Sequence, residues 1–361
     1  MRKGNGMIGK WAWTLHLAAA LFAGFSVNAL AQAPPAASSS GPSRILLDVL
    51  VSDKAGNPVS GLTREDFKLL DSREPVTVRS FTAHAPGDGS ENGMFVVIDN
   101  LNSGFGIATS ELLQLETYLD KSGKLSLPVA VFLLTDSGIL QVTQFSANGP
   151  EVADRLRHTK ATVVPARLKS GFRADQERMN TSLNSFTKLV AGLGSIYGHK
   201  VVVWLGPGWP VIDSSEADFG PQQQAFCYTT AINISNALRE EQIIVDLVSQ
   251  VGSVTASGAN EENGRELFWE SFLKPLTKET KAEAGYLALQ VFAIYSGGTV
   301  VLGSNDLGKE IARTAQDATS WYTLTFDSEK APAPNTWYDV EVKIDKPQVK
   351  VRTTNGYYAQ P

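Results

Sequence analysis

The chain has a single cysteine, Cys227, in 361 residues. No disulfide can close within it, and metal sites built from several thiolates are excluded. Flanked by Phe226 and Tyr228, the thiol reads as a small buried apolar group rather than a reactive one. Histidine is nearly as scarce. His84, His158 and His199 are the only ones beyond the N-terminal segment. None lies in a local catalytic signature, and neither Gly-x-Ser-x-Gly nor His-Glu-x-x-His occurs. Triad partners can be distant in sequence, so this weakens the case for a hydrolase without removing it. Beyond the first thirty residues no apolar run is long enough to cross a membrane.

The N-terminus has the layout of a secretory signal peptide. Arg2, Lys3 and Lys10 precede an apolar run from Trp11 to Leu30, which ends in Ala29-Leu30-Ala31. Cleavage after Ala31 is expected, with a retained membrane anchor as the rival, so the chain is expected to be secreted or periplasmic. No cysteine near the cut offers a lipid attachment point. Loss of residues 1–31 removes three of the 32 basic residues and none of the 37 acidic ones, which takes the net charge from −5 to −8. Such a chain is a poor ligand for nucleic acid or anionic lipid. Residues 32–43, all Ala, Pro, Ser and Gly apart from Gln32, read as a flexible linker.

Three regions follow. Residues 44–85 form an N-terminal β segment, with strands at 45–51, 67–71 and 76–81 and a short helical turn capped by Thr63. In 93–320, strands alternate with helices. Apolar runs at 94–98, 201–205, 242–248 and 299–302 suit strands buried on both faces, and 110–119, 183–193 and 307–318 read as helices. Residues 212–230 read as a long loop, and 251–285 as an insertion, either a mobile loop or a lid. In 321–361 the alternation of Tyr338, Val340, Val342 and Ile344 with charged residues marks a strand with one buried face. The expected fold is α/β and Rossmann-like. A mostly parallel central sheet carries helices on both faces, and a small β-sandwich-like region forms where 321–361 pairs with 44–85.

Ligands of such sheets bind beyond the carboxyl ends of the strands. The first such end is Asp99-Asn100-Leu101-Asn102-Ser103-Gly104, where Asp99 and Ser103 offer oxygens to a hard cation. Asp99 capping its own turn is the simpler alternative. After the strand at 201–205 come Gly206 and Trp209. Trp209 is read either as an exposed contact residue or as packing against 212–230. Two other motifs read as ordinary connections. Thr135-Asp136-Ser137-Gly138 is a hairpin turn. Residues 303–310 resemble a phosphate loop but end in Glu310 where a hydroxyl should hold Mg²⁺, so no nucleotide is expected.

Several stretches resemble the acidobacterial VWA-related (von Willebrand factor A-like) family of secreted bacterial proteins. These are 51–67 (VSDKAGNPVSGLTREDF), 97–102 (VIDNLN), 296–299 (SGGT), the 303–310 loop, 321–324 (WYTL) and 356–358 (GYY). The resemblance implies a VWA fold and protein binding, often through a metal-ion-dependent adhesion site opening with Asp-x-Ser-x-Ser. The matching positions are Asp99, Leu101 and Ser103, so the middle hydroxyl is missing. The acid that the family carries after the strand matching 201–205 is replaced by Gly206-Pro207-Gly208. Thr159 and Thr162 are both candidates for the remaining ligand. The site is thus degenerate. No cofactor is required, and Mg²⁺ is a minor alternative.

The expected function is a non-enzymatic binding module. It would engage a protein or cell-envelope partner through a rim of Asp99, Asn100, Asn102, Ser103, Gly206 and Trp209. The rivals are an envelope-associated hydrolase, which needs a Ser or Asp within reach of His158 or His199, and a structural subunit with a long apolar surface patch. If the rim is the contact face, Asp99→Ala and Trp209→Ala should weaken partner capture at unchanged stability.

Overall fold

The structure is a computed structural model and describes residues 43–86, 92–159, 171–212, 219–252, 269–328 and 334–360. The expected leader, nearly all of the linker, Thr162 and the polar part of the 251–285 insertion lie outside these residues. So does the side chain of Thr159.

The N-terminal strands are β1 (Ser43–Ser52), β2 (Phe67–Asp71), β3 (Glu74–Val76) and β4 (Ser80–His84). The middle runs β5 (Asn92–Asp99), α1 (Phe105–Ser122), β6 (Lys124–Thr135), β7 (Gly138–Gln141), β8 (Ser146–Asn148), α2 (Gly149–Thr159) and α3 (Phe172–Leu193). It continues with β9 (His199–Leu205), α4 (Pro221–Glu240), β10 (Ile243–Val248), α5 (Leu289–Tyr295), β11 (Val300–Val301) and α6 (Leu307–Asp317). The chain closes with β12 (Trp321–Ser328), β13 (Trp337–Ile344), β14 (Lys350–Arg352) and β15 (Gly356–Tyr358).

The central sheet has seven strands in the order β11-β10-β9-β5-β6-β7, with β8 also on β6. The four neighbouring pairs from β11 to β6 are parallel, while β7 and β8 run antiparallel to β6. The sheet is therefore mixed, not mostly parallel. The cause is local: Thr135 pairs directly with Gly138, and so short a hairpin can only return the chain antiparallel. Side chains alternate between two cores. Phe95, Val97, Phe132, Val202, Trp204 and Val245 face α3, α4 and α5. Met94, Val96, Ile98, Val131, Val201 and Val203 face α1, α2 and α6. Burial on both faces explains the unbroken apolar runs.

Two four-stranded sheets come from the chain ends, in the orders β14-β1-β12-β4 and β15-β13-β2-β3. β1 pairs β12 across nearly the whole length of the chain, and β13 pairs β2. Facing residues of both sheets, among them Leu47, Phe67, Leu324, Val340 and Tyr357, share one apolar cluster. Thr63 opens the expected helical turn, its N–H donating to Asp66 Oδ2 at 2.8 Å. The expected strand at 76–81 is instead split between β3 and β4. The expected loop at 212–230 is also corrected, because Pro221 starts α4. Its stripe of Cys227, Ala231, Ile234 and Leu238 packs on the sheet.

A buried polar seam ties the end sheets to the central one. Asp48 on β1 accepts hydrogen bonds from Gln242 Nε2 (3.0 Å) and Thr323 Oγ1 (2.8 Å), and pairs with His199 Nδ1 at 2.7 Å. Trp321 lies between two imidazoles, stacked on His84 (4.3 Å) and on His199 (4.6 Å). Burial pushes the Asp48 carboxyl up, but the hydrogen bond and charge of His199, with Thr323 and Gln242, outweigh it and hold the group below its ordinary value. Its stabilising effect is therefore present above the ordinary Asp range, about pH 4, and is lost as pH falls through its lower folded value. Asp48→Ala is expected to cost about 3 kcal/mol in urea unfolding at pH 7, because it strands the buried partners. The difference from the parent chain should shrink below about pH 4. A pH-independent loss under 1 kcal/mol would show that the seam does not hold the sheets together.

Candidate functional site

The turn after β5 is built inward. The apolar run to Ile98 sets β5 at the middle of the sheet, between β9 and β6. Asn100 N–H donates to Leu134 O at 3.1 Å, and Ser103 N–H to Asp99 O at 3.3 Å, which folds the turn back onto the strand ends. Asp99 is 0% exposed, and Asn100, Asn102, Ser103 and Trp209 are also buried. Gly206 is buried too.

Asp99 is saturated by protein donors. Its Oδ1 accepts from Asn102 N (2.9 Å) and Asn102 Nδ2 (3.0 Å). Its Oδ2 accepts from Asn102 Nδ2 (3.0 Å) and from the indole Nε1 of Trp204 (3.0 Å). Asn102 Nδ2 also donates to Ser182 Oγ on α3 at 2.9 Å, which ties the turn to the helix layer. Burial pushes the Asp99 carboxyl up to about 6, against the pull of the Asn102 and Trp204 donors. β9 presses on the same turn. Gly206 has φ 134°, and a Cβ there would lie 2.7 Å from Asp99 Cβ and 3.0 Å from Ser103 Oγ. Only glycine fits so close an approach.

Glu111 on α1 completes the cluster and is 0% exposed. Burial pushes its carboxyl up to about 8; the Gln250 backbone works against this, the Asp99 charge adds to it, and the nearby Ser103 hydroxyl again works against it. Ser103 Oγ and both Glu111 oxygens nonetheless lack a hydrogen bond of good geometry. At neutral pH Glu111 is mostly protonated, as suits a carboxyl sealed in an apolar layer.

This set does not fit a divalent cation. A carboxylate has about four lone-pair sites, and those of Asp99 are taken by four donor contacts. Leu101 is buried where a hydroxyl should stand, and Gly206-Pro207-Gly208 offers no acid after β9. Mg²⁺ demands an octahedron of oxygens, and one unpaired hydroxyl beside a single further carboxyl does not supply it. Among the described residues no group of three or more His, Cys, Asp or Glu is placed to hold a metal.

The expected contact rim needs the same correction. Trp209 is 0% exposed, and its Nε1 donates to Leu287 O at 2.8 Å. Its ring packs against Trp204 (5.8 Å) and Phe186 (5.7 Å). Gln290 Nε2 pins the Pro207 carbonyl at 2.9 Å, bracing the loop after β9. Asp99→Ala and Trp209→Ala would therefore cost stability, since each empties a sealed site. The exposed aromatic at the rim is Phe105, the first residue of α1, at 50% exposure. It follows directly on Ser103-Gly104.

Sequence reasoning missed Trp204, Ser182 and Glu111. Signals for two were present. A tryptophan inside a buried strand needs a partner for its N–H. Glu111 lies on the apolar stripe of Ala108, Leu112 and Leu115, where a charge is out of place.

Among the described residues no histidine sits between an acid and a serine. His158 is exposed, its Nδ1 on Asp154 O at 2.8 Å. His84 Nε2 meets Thr323 Oγ1 at 3.0 Å. His199 does have an Asp within reach, but it is sealed in the seam and its Nε2 has no partner. A serine or other nucleophile would have to meet that nitrogen. Cys227 is buried, and burial pushes its thiol up to about 12, so it is not a reactive thiolate.

No family model matches the chain, and no curated protein matches it. Among solved structures, a von Willebrand factor type A protein from Catenulispora acidiphila is 12% identical, with TM-score 0.36, over 90% of this chain and 75% of that one. Proximal thread matrix protein 1 from the mussel byssus is 12% identical, with TM-score 0.33, over 68% of this chain. The match spans 49% of the mussel chain, about half its length. The N-terminal domain of TFIIH p34 is 9% identical, with TM-score 0.31, over 62% of this chain and 96% of that one. Likeness this low assigns no family and carries no argument about function.

The protonation of Glu111 and Asp99 is measurable. Groups held above their ordinary values stabilise the fold below those values and lose that effect as pH rises through about 6 and about 8. Stability should therefore fall between about pH 4 and pH 8 by up to ~1.4 kcal/mol per unit for each group titrating, with Glu111 alone contributing above about pH 6. Glu111→Gln should flatten the upper half of that slope in urea unfolding. Identical slopes would refute a protonated Glu111. Mg²⁺ and EDTA should leave Tm unchanged, and a rise with Mg²⁺ would restore the cation site.

Proposed function

We propose that this chain is an exported, VWA-type binding module that performs no chemistry and engages a protein partner at the strand-end rim around Phe105. The observation that carries the reading is Phe105 itself. A half-exposed phenylalanine caps the one strand-end turn that is locked from beneath by Asp99, Asn102, Trp204 and Ser182. A large apolar side chain on a rigid mount loses little entropy on binding, which is how interface hot spots work. The partner's matching surface would then be apolar.

In this reading the metal-ion-dependent adhesion motif is degenerate. Trp204 and Asn102 do for Asp99 what a cation does in the motif, holding the carboxylate in one pose. The two end sheets are read as a sandwich that carries the module. Export rests on the leader-like segment and its Ala29-Leu30-Ala31 ending. The reading as a non-enzyme is supported by the histidines: His84 and His199 stack on Trp321 in the buried seam, and His158 is exposed on α2.

The test compares immobilised parent chain and Phe105→Asp for crosslinked capture from a cell-envelope extract. The variant should keep its Tm and lose at least about tenfold in capture of the same band, or about 1.4 kcal/mol. Equal capture by a folded Phe105→Asp would remove the rim as the contact face.

A further inference from the structure

The central sheet ends on β7, whose outer edge meets no strand among the described residues. The direction of its backbone groups follows from one bond. Val142 N–H donates to Val131 O at 2.8 Å, which makes 131 and 142 a hydrogen-bonded pair beside the β6–β7 ladder. The ladder continues in the same register, with Leu133 on Leu140 and Leu134 on Ile139. Hydrogen-bonded and non-hydrogen-bonded pairs alternate in an antiparallel ladder. Gly138 and Leu140 therefore bond inward to β6. The N–H and C=O groups of Ile139 and Gln141 point out of the sheet edge.

Proteins protect such an edge with charge, proline or a cover. Residues 137–149 contain no charged residue and no proline, in a chain that is 19% charged. Leu140 instead stands 59% exposed. It lies opposite Leu133, on the face of α1 and α2, whereas Ile139 packs toward the α3 side. Phe145, just past β7, is 44% exposed and stacks on Phe95 at 5.4 Å. A helix or a flat ring laid on this edge would strip water from the four outward backbone groups without pairing them. An extended strand pairs them.

Which strand it is follows from self-complementarity. Residues directly opposite in an antiparallel pair project to the same face of the sheet. A two-fold axis through the sheet must then pass through a residue. An axis between Ile139 and Leu140 would oppose those two, which face opposite ways. Placed at Leu140, the axis sets Leu140 on its own copy as a non-hydrogen-bonded pair. It sets Ile139 on Gln141 as a hydrogen-bonded pair on either side, so all eight outward groups of the two strands join in four bonds. Placed at Ile139, it would leave Gln141 facing Ser137, outside the strand. The lack of charge matters too, because two chains of net charge −5 approach most easily where neither carries any. We infer that a second copy of this chain adds to β7, antiparallel, about a two-fold axis at Leu140. Four residues and their apolar flanks make less than the ~1,600 Å² of a standard interface. The dimer is accordingly weak, with Kd about 100 µM.

Sedimentation velocity and symmetric crosslinking test this. Between about 5 and about 500 µM the parent chain should pass from monomer to dimer. Gln141→Pro removes an outward N–H and leaves the β6 ladder intact, so it should weaken the dimer at least about tenfold. Leu140→Lys, at an exposed position, sets two like charges together at the axis and should do the same; it serves as the folded variant should Gln141→Pro lose stability. Leu140→Cys brings two thiols together at the axis, where Cα atoms of a non-hydrogen-bonded pair lie about 4.5 Å apart, within disulfide reach. It should crosslink as a dimer under mild oxidation, with the buried Cys227 silent. Gln141→Cys faces Ile139 of the copy and should not. Phe105→Asp should dimerise as the parent does, so failure here and failure at the rim are told apart. The proposal is overturned by a monomer at every concentration, by a dimer that survives Leu140→Lys or is lost with Phe105→Asp, or by equal crosslinking of the two cysteine variants.

Discussion

Asp48 on β1 is turned inward, and partners from three separated parts of the chain converge on it: His199 at the start of β9, Gln242 before β10, and Thr323 on β12. A carboxylate in that position survives burial only because hydrogen bonds and an imidazole compensate its lost hydration. The same contacts align the strands. β1 is fixed against β12, and the pair is fixed against the leading ends of β9 and β10. Trp321, held between His84 and His199, fills the space around the polar group with aromatic surface. The end sheets and the central sheet can therefore meet in one register, set by a polar contact that an apolar seam would not specify.

At the other end of β5 and β9 a second buried carboxylate works differently. Asp99 has no cationic partner. Neutral donors, an amide and an indole, hold it, and its carboxyl remains closer to protonation than an ordinary aspartate. What looks in sequence like a ligand-binding loop is in space a brace. It joins β5, β9, α3 and, through Ser103 and Glu111, α1. The consequence is stiffness at the strand ends, and the first exposed side chain after the brace is Phe105.

Much of the architecture was legible in the residues. The apolar runs of β5, β9 and β10, the period-2 pattern of β13 and the stripes of α1 and α6 each report one element burying one or two faces, and that is a property of neighbours along the chain. α4 was hidden because glutamine, threonine and asparagine dilute its stripe, and the split between β3 and β4 because both halves carry β-forming residues. Asp99, Asn102 and Ser103 could be picked out as a polar turn at a strand end, but not as a buried one. Whether a carboxylate faces water or an indole depends on which residue arrives from another strand, and Trp204 is about a hundred positions away. Sequence alone determined the elements and their faces, because periodicity is local. Exposure, partner and protonation were decided only by the tertiary fold, because they depend on atoms that distant parts of the chain bring together.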